Sequence, residues 1–120
     1  MLSDIGEDMI FLYADGASRG NPGPAAYGVH IVDSNGQLIA DLGEQLGIAT
    51  NNQAEYSGVI AGLRFLTTTD HRTVTIRLDS KLVVEQLSGR WKIKNPGMQE
   101  LAIEAQGLLA GFDATFEWVP

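Results

Sequence analysis

The sequence predicts an α/β fold in which helices pack on a five-stranded mixed sheet. Three strand-like segments joined by turns open the chain, and a helix, a further strand, two helices and a last strand follow. Hairpin-linked strands followed by alternating helices and strands make a mixed sheet covered by helices. At 120 residues the chain fits one domain, which we expect to span residues 9–120.

The composition excludes several classes of protein. Apolar residues make up 44% and charged residues 19%, as in ordinary soluble domains. The absence of cysteine excludes disulfides and thiolate zinc sites, and it fits the cytoplasmic localisation that we expect. No apolar run approaches the length of a membrane span, so we expect no membrane contact. Residues 1–8 lack the basic and apolar regions of a secretory signal and are predicted to form a flexible leader.

The charge balance argues against nucleic-acid binding without excluding it. The formal net charge is −7, whereas nucleic-acid binding usually depends on a basic surface. Basic residues are nevertheless concentrated where Arg90, Lys92 and Lys94 lie close together, and Lys81 lies a short way upstream. Bound cations could also neutralise several of the acidic residues.

The first three strands are predicted from apolar segments separated by turn residues. Met9–Asp15 is apolar almost throughout, as in a strand covered on both faces. The DGASRGNPGP segment from Asp15 is so rich in glycine and proline that it predicts a turn. Ala25–Val32 is the second predicted strand, and the Ser34–Gly36 turn leads into a third over Gln37–Leu46.

The first predicted helix, Gln53–Leu66, carries two glycines on the same face as an acidic residue. Gly58 and Gly62 follow Glu55 at three and seven positions, which places them on its face. Each glycine weakens a helix by roughly 1 kcal/mol relative to alanine, so close approach of the helix to the sheet is the expected compensation. The predicted N-cap is one of two polar residues, Thr50 or Asn51.

The second half of the chain is predicted to alternate between strands and helices. Thr73–Asp79 alternates apolar and polar residues and therefore predicts a fourth strand. Helices are expected over Ser80–Leu87 and Gly97–Leu109, and Thr115–Val119 is the fifth predicted strand.

Three carboxylates stand at the ends of these elements. Asp15 is the last residue of the first predicted strand, Glu55 lies at the start of the first predicted helix, and Asp79 is the last residue of the fourth predicted strand. Such carboxylates can converge, and hard cations such as Mg²⁺ relieve the resulting like-charge repulsion. Each residue also has a structural explanation: Asp15 as a turn former, Glu55 as a partner of the helix macrodipole, and Asp79 as a helix N-cap.

Four segments in order resemble the successive motifs of type 1 ribonuclease H. They are DGASRGNPGPAAYG from Asp15, TNNQAEY from Thr50, DSKLVVEQLSGRWKIKNPGM from Asp79 and the closing FEWVP. The resemblance covers nearly all of Met9–Pro120. The SGRWKIKNP stretch is similar to the compact bacterial and archaeal branch, which includes RNase H domains fused to a phosphatase in actinobacteria. The resemblance implies a ribonuclease H-like fold and hydrolysis of the RNA strand of an RNA–DNA hybrid to 5′-phosphate products.

The resemblance further implies that Asp15, Glu55 and Asp79 are catalytic residues that hold two Mg²⁺ ions, for which Mn²⁺ can substitute. Hydrolysis would follow a two-metal mechanism, with ions about 4 Å apart flanking the scissile phosphate. One ion would activate the attacking water, the other would stabilise the leaving 3′ oxygen, and Asp15 would bridge both.

The resemblance also implies a set of substrate-binding residues: Gly16, Asn21, Thr50, Asn51, Asn52, Trp91, Lys92 and Lys94. The three asparagines match positions that touch the RNA strand, and an amide suits the 2′-hydroxyl because both groups donate and accept hydrogen bonds. The threonine matches a hydroxyl that holds a phosphate of the DNA strand. Trp91 and its basic neighbours would contact the DNA strand, the alternative being a solvated charge run beside a core tryptophan. No obligate protein partner is expected.

Four other residues are predicted to be structural. Trp118 lies in a strand and is expected in the core. His30 lies in the second predicted strand, where the sequence indicates no paired acid, and His71 lies in a predicted loop. Ser80 is expected to cap a helix rather than to act as a nucleophile.

The sequence departs from the family pattern in one respect. The family's fourth carboxylate, a mobile histidine and a final helix follow the WVP strand, whereas this chain ends at Pro120. Either the chain is truncated or it works with three carboxylates. For the chain as it stands we expect weaker metal binding and slower cleavage, with a preference for Mn²⁺ over Mg²⁺. Two alternative functions stay open: a catalytically impaired hybrid-binding module, and another nuclease of the wider ribonuclease H-like superfamily. The asparagines argue against the second.

Overall fold

Five strands form one mixed sheet in the computed structural model, which describes residues 9–120. The strands are β1 (Met9–Ser18), β2 (Gly23–Asp33), β3 (Leu38–Ala49), β4 (Thr73–Leu78) and β5 (Asp113–Trp118). Their order is β3-β2-β1-β4-β5, with β2 antiparallel to β1 and β3, and with β4 parallel to β1 and β5. The predicted α/β class and five-stranded mixed sheet are therefore confirmed. The predicted flexible leader at residues 1–8 lies outside the described residues.

Three helices lie within the described part of the chain: α1 (Asn51–Thr67), α2 (Lys81–Leu87) and α3 (Pro96–Leu109). Thr50 is the N-cap of α1, since its side chain accepts the Gln53 N–H while the Gln53 side chain accepts the Thr50 N–H. This reciprocal capping box decides between the two predicted caps, and Asn51 becomes the first helical residue. No helix within residues 9–120 is both long enough and apolar enough to cross a membrane.

The core lies between the sheet and α1. Ile10, Leu12 and Ala14 alternate along β1 and are buried in the same cluster as the apolar residues of α1. A Cβ atom added to Gly62 of α1 would lie 2.6 Å from Leu12 Cδ1, and one added to Gly58 would lie 3.3 Å from Ala14 Cβ. The predicted close approach of this helix to the sheet is confirmed, and it depends on the two glycines.

Strand β1 is longer than the sequence predicts. Ladder pairs continue past Asp15, with Gly16 opposite Tyr27 and Ser18 opposite Ala25, so the turn is confined to residues 19–22. The prediction that a turn begins at Asp15 is wrong, because backbone pairing with β2 outweighs the weak strand propensity of glycine and serine. Asp15 consequently lies inside a strand and does not act as a turn former.

Candidate active site

Three carboxylates from separate elements converge at one edge of the sheet. Asp15 belongs to β1 and Asp79 directly follows β4, the parallel neighbour in which Leu78 pairs with Ala14. Glu55 comes from the N-terminal part of α1, which packs on the same strands. One carboxylate oxygen from each residue can be chosen so that all three lie within 4.8 Å of one another. The convergence predicted from the sequence is therefore present.

Gly16 allows α1 to bring Glu55 to this edge. A Cβ atom on Gly16 would lie 2.3 Å from the Glu55 backbone nitrogen and 2.5 Å from the Ala54 carbonyl carbon. Any side chain here would push the helix off the strand. Glu55 lies beyond the first turn of α1, which contains no acidic residue. Interaction with the helix macrodipole, the structural alternative for this residue, therefore does not account for it.

The carboxylates repel one another at close range. Glu55 is only 2% exposed. Burial, followed by the hydrogen bond and the charge of Asp79, raises the pKa of Glu55 to about 8, although the Ser80 N–H acts in the opposite direction. The pKa of Asp15 is also raised, first by loss of hydration and then by the charge of Asp79. A cluster of this kind favours either protonation or a bound cation.

Ser80 joins the segment after β4 to α1. Its backbone N–H donates to Glu55 Oε2 at 3.1 Å, and its hydroxyl donates to Asn52 Oδ1 at 3.3 Å. The same hydroxyl accepts the Val83 N–H and caps α2. The predicted cap role of Ser80 is confirmed, and the alternative that Asp79 is the N-cap is wrong. Asp79 is thereby left as a solvent-exposed carboxylate within the cluster.

The asparagines predicted to bind RNA gather at the start of α1. Asn21 Oδ1 accepts the Asn51 N–H at 2.8 Å, and Asn51 Oδ1 accepts the Ser18 N–H at 2.7 Å. Asn21 has a φ of 32°, in the left-handed region that asparagine tolerates better than most residues. We call these two hydrogen bonds the asparagine clamp. The clamp fixes the turn after β1 against the N-terminus of α1, next to Thr50 and Asn52.

The predicted basic segment lies in the loop between α2 and α3. Trp91 is 45% exposed there, so the alternative of a core tryptophan is wrong. Lys92 and Lys94 are exposed as well. Arg90 instead binds Glu85, with an Nη2–Oε1 distance of 2.6 Å. Within residues 9–120, no hydrogen bond or ion pair connects this loop to the carboxylates, so the structure does not join the two predicted groups directly.

Two residues predicted to be structural have contacts that the sequence did not indicate. Trp118 is 46% exposed rather than in the core, because it is the last residue of the edge strand β5. Its indole Nε1–H donates to the Asp79 carbonyl oxygen at 3.0 Å. His30 has an acidic partner after all, since its Nδ1 lies 2.6 Å from Asp41 Oδ1 on β3. The parallel pairing of Leu78 with Trp118 could have indicated the first contact, had the strand order been known.

Comparisons with known proteins agree with this fold. A family model described as reverse transcriptase-like matches residues 13–120. The bifunctional protein Rv2228c of Mycobacterium tuberculosis is 45% identical over 113 residues, which are 92% of this chain and 31% of that protein. Ribonuclease HI of Halobacterium salinarum is 44% identical over 104 residues, which are 87% of this chain and 52% of that protein. The chain thus spans about a third of the first of these curated relatives and about half of the second.

Solved structures of ribonuclease H proteins also share this fold. The N-terminal RNase H domain of Rv2228c superposes with a TM-score of 0.90 at 45% identity, covering 93% of this chain and 87% of that one. LC11-RNase H1, solved in complex with an RNA/DNA hybrid, gives a TM-score of 0.86 at 34% identity and covers 92% of this chain and 85% of that one.

Proposed function

Because the chain belongs to the reverse transcriptase-like family that includes ribonuclease H, we propose that it hydrolyses the RNA strand of RNA–DNA hybrids. The observation that carries the proposal is the set of Asp15, Glu55 and Asp79 carboxylates, which converge within 4.8 Å from three separate elements. A similar protein, LC11-RNase H1, has been solved with an RNA/DNA hybrid bound. The proposed substrate follows from that likeness.

The donor set fits two Mg²⁺ ions. All three candidate ligands are carboxylates, and Mg²⁺ prefers oxygen ligands while retaining waters that face substrate phosphates. Burial, and after it the nearby Asp79, raises the pKa of both Asp15 and Glu55, so a bound cation would stabilise the ionised cluster. Two such ions, when bound, supply a nucleophilic water and stabilise the charge that develops on the leaving oxygen. Mn²⁺ has similar ligand preferences and is expected to substitute.

The protein's own residues then hold the cluster and orient the substrate. The Ser80 N–H donates to Glu55 Oε2, and Asp79 lies close to the same carboxyl group. Water attacks the scissile phosphorus, the bond to the 3′ oxygen breaks, and that oxygen takes up a proton. The products are a 3′-hydroxyl and a 5′-phosphate. No covalent bond to the protein is required, and Ser80 is occupied as a helix cap.

We assign recognition of the RNA strand to the start of α1. The carbonyl oxygens of Asn21 and Asn51 are used in the asparagine clamp, whereas their amide N–H groups make no hydrogen bond to residues 9–120. These donors suit the 2′-hydroxyl, which DNA lacks. Asn52 lies one residue further along, and its side-chain oxygen accepts a hydrogen bond from the Ser80 hydroxyl. Gly16 contributes by permitting the close contact of α1 with β1.

We assign the DNA strand to Thr50 and to the loop between α2 and α3. Thr50 lies at the N-terminus of α1, where backbone N–H groups and the helix dipole favour a phosphate. In the loop, Trp91 offers an exposed ring and Lys92 and Lys94 offer exposed ammonium groups. These groups contact a backbone without reading base sequence.

The test is cleavage of four labelled duplexes of one sequence in Mg²⁺: an RNA–DNA hybrid, a hybrid with a scrambled sequence, duplex RNA and duplex DNA. We expect the RNA strand of both hybrids to be cut at similar rates and the other duplexes to stay intact. Comparable cutting of duplex DNA would favour another nuclease of the superfamily. Hybrid binding without cleavage in either Mg²⁺ or Mn²⁺ would identify a hybrid-binding module and contradict the proposed hydrolysis.

A further inference from the structure

Trp118 contacts the backbone of Asp79 and the side chain of Lys81 without belonging to the proposed site. Its indole Nε1–H donates to the backbone carbonyl of Asp79 at 3.0 Å. Its ring lies 5.2 Å from the ammonium nitrogen of Lys81, two residues further along the chain. The next residue, Val119, donates its N–H to the Leu78 carbonyl at 2.8 Å. The end of β5 therefore holds the chain immediately before, at and after Asp79.

Asp79 needs this support more than the other two carboxylates do. Asp15 is inside β1 and pairs with Gly28, and Glu55 is inside α1. Asp79 follows the last residue of β4 and precedes the cap of α2, so neither a ladder nor a helix fixes its backbone. A metal ligand on irregular backbone loses affinity when its carbonyl and side chain can rotate away, since outer contacts orient the ligating groups.

The indole also controls where the Lys81 ammonium lies. A cation over an aromatic face is attracted to the ring. Among residues 9–120, Lys81 forms no ion pair with any carboxylate, although it is only two residues from Asp79. Because the Lys81 ammonium lies over the Trp118 ring, it does not compete with a divalent cation for the Asp79 oxygens.

We propose that Trp118 is a positioning residue that holds Asp79 in the orientation required for metal binding. This inference rests on the proposed function, because it takes Asp79 to be a metal ligand. It assigns to Trp118 a role that the sequence did not indicate. It also accounts for an exposed tryptophan at the end of an edge strand, where a core role is excluded.

The experiment measures Mn²⁺ affinity of the full chain without nucleic acid, by water proton relaxation. Trp118→Phe keeps an aromatic ring but removes the N–H donor, and Trp118→Leu serves as a second variant without that donor. Loss of one hydrogen bond should raise the Mn²⁺ dissociation constant by about fivefold. Phe116 is partly buried on β5 and its side chain has no hydrogen-bond donor for Asp79. Phe116→Leu is therefore the matched stability control and should change that constant less than about twofold.

The outcomes separate this inference from the proposed function. If both Trp118 variants bind Mn²⁺ as tightly as the parent, or if Phe116→Leu weakens binding equally, the positioning role is wrong. Asp79→Asn serves as the second arm. If it leaves Mn²⁺ binding unchanged, the proposed metal site itself fails. A kinetic readout completes the test: saturating Mn²⁺ should restore the cleavage rate of Trp118→Phe, whereas a change unrelated to the metal would persist at saturation.

Discussion

At the scale of single residues, Gly16 permits the close contact of β1 with α1 that brings Glu55 to the site. Because Gly16 has no side chain, the backbone of Ala54 and Glu55 can pack directly against it. A Cβ atom at this position would lie 2.3 Å from the Glu55 backbone nitrogen. We predict that Gly16→Ala lowers the free energy of unfolding by about 1–3 kcal/mol, since the clash is with backbone that cannot rotate away. Cleavage should fall with it, because Glu55 moves away from Asp15.

The matched control for this change is Gly107→Ala. Gly107 lies in α3, and a Cβ atom there would meet nothing within 4 Å. Alanine should stabilise this helix by up to about 1 kcal/mol and leave cleavage unchanged. Urea unfolding and hybrid cleavage of both variants provide the measurement. Equal stability of the Gly16 and Gly107 variants would show that the close contact of α1 with β1 is not needed.

Glu55 should make the metal-free protein less stable as the pH rises. Its pKa is about 8 in the folded protein, above the ordinary value of 4.5. Between these values the folded state binds more protons than the unfolded state, so the free energy of unfolding falls with increasing pH. Asp15, whose pKa is also raised, acts in the same direction. Bound Mg²⁺ should reverse the trend, because the ion requires ionised carboxylates.

Glu55→Gln tests this prediction, since glutamine keeps an oxygen for the Ser80 N–H and carries no charge. In EDTA, the variant should exceed the parent chain in stability at about pH 8 by more than about 1 kcal/mol, and by less at about pH 5. Chemical unfolding at the two pH values measures the difference. A parent chain that is more stable at the higher pH without metal would contradict the account.

At the scale of elements, the asparagine clamp joins a turn to a helix, and its amide N–H groups make no hydrogen bond to residues 9–120. Asn51→Asp keeps the oxygen that accepts the Ser18 N–H but loses the amide donors. We predict that its unfolding free energy stays within about 0.5 kcal/mol of the parent, whereas Asn51→Ala loses about 1 kcal/mol. Hybrid binding, measured by fluorescence anisotropy, should weaken about tenfold in both variants. Normal hybrid binding by Asn51→Asp would remove this residue from the RNA contacts.

The sequence predicted the elements better than it predicted their ends. All five strands and three helices lie where apolar patterns and caps indicated them. The end of β1 was missed because Gly16 and Ser18 pair with β2 in spite of turn-like composition. Such pairing joins residues that are distant in sequence, and local propensity contains no information about it.

The site was likewise only partly predictable. Asp15, Glu55 and Asp79 could be identified because each stands beside an apolar element in a motif that the family resemblance supplied. The asparagine clamp and the contact of Trp118 with Asp79 connect positions 30 to 39 residues apart. Such contacts depend on strand order, which a single sequence does not give. Trp118 was assigned to the core for this reason.

At the scale of the whole molecule, a net charge of −7 must be reconciled with the proposed polyanionic substrate. The described basic groups near the proposed DNA-strand contact are few, and Arg90 is already bound to Glu85. We therefore predict a shallow salt dependence of hybrid binding, since the slope of log K against log salt is about −0.9 for each neutralised phosphate. Lys92→Gln should reduce the slope by about 0.9, whereas Arg90→Gln should leave it nearly unchanged. Equal effects of the two changes would show that the Arg90–Glu85 pair opens on the substrate.

We propose above that three convergent carboxylates bind divalent metal and that this metal is required to hydrolyse the RNA strand of a hybrid. The most direct measurement compares the parent chain with Asp15→Asn on one labelled hybrid in Mg²⁺, with circular dichroism as the check on folding. We expect RNA fragments with 5′-phosphates from the parent chain. The cleavage rate of the variant should be lower by at least about a hundredfold, because a bound metal contributes several kcal/mol to transition-state stabilisation. A folded Asp15→Asn variant that cleaves at nearly the parent rate in saturating Mg²⁺ would contradict it.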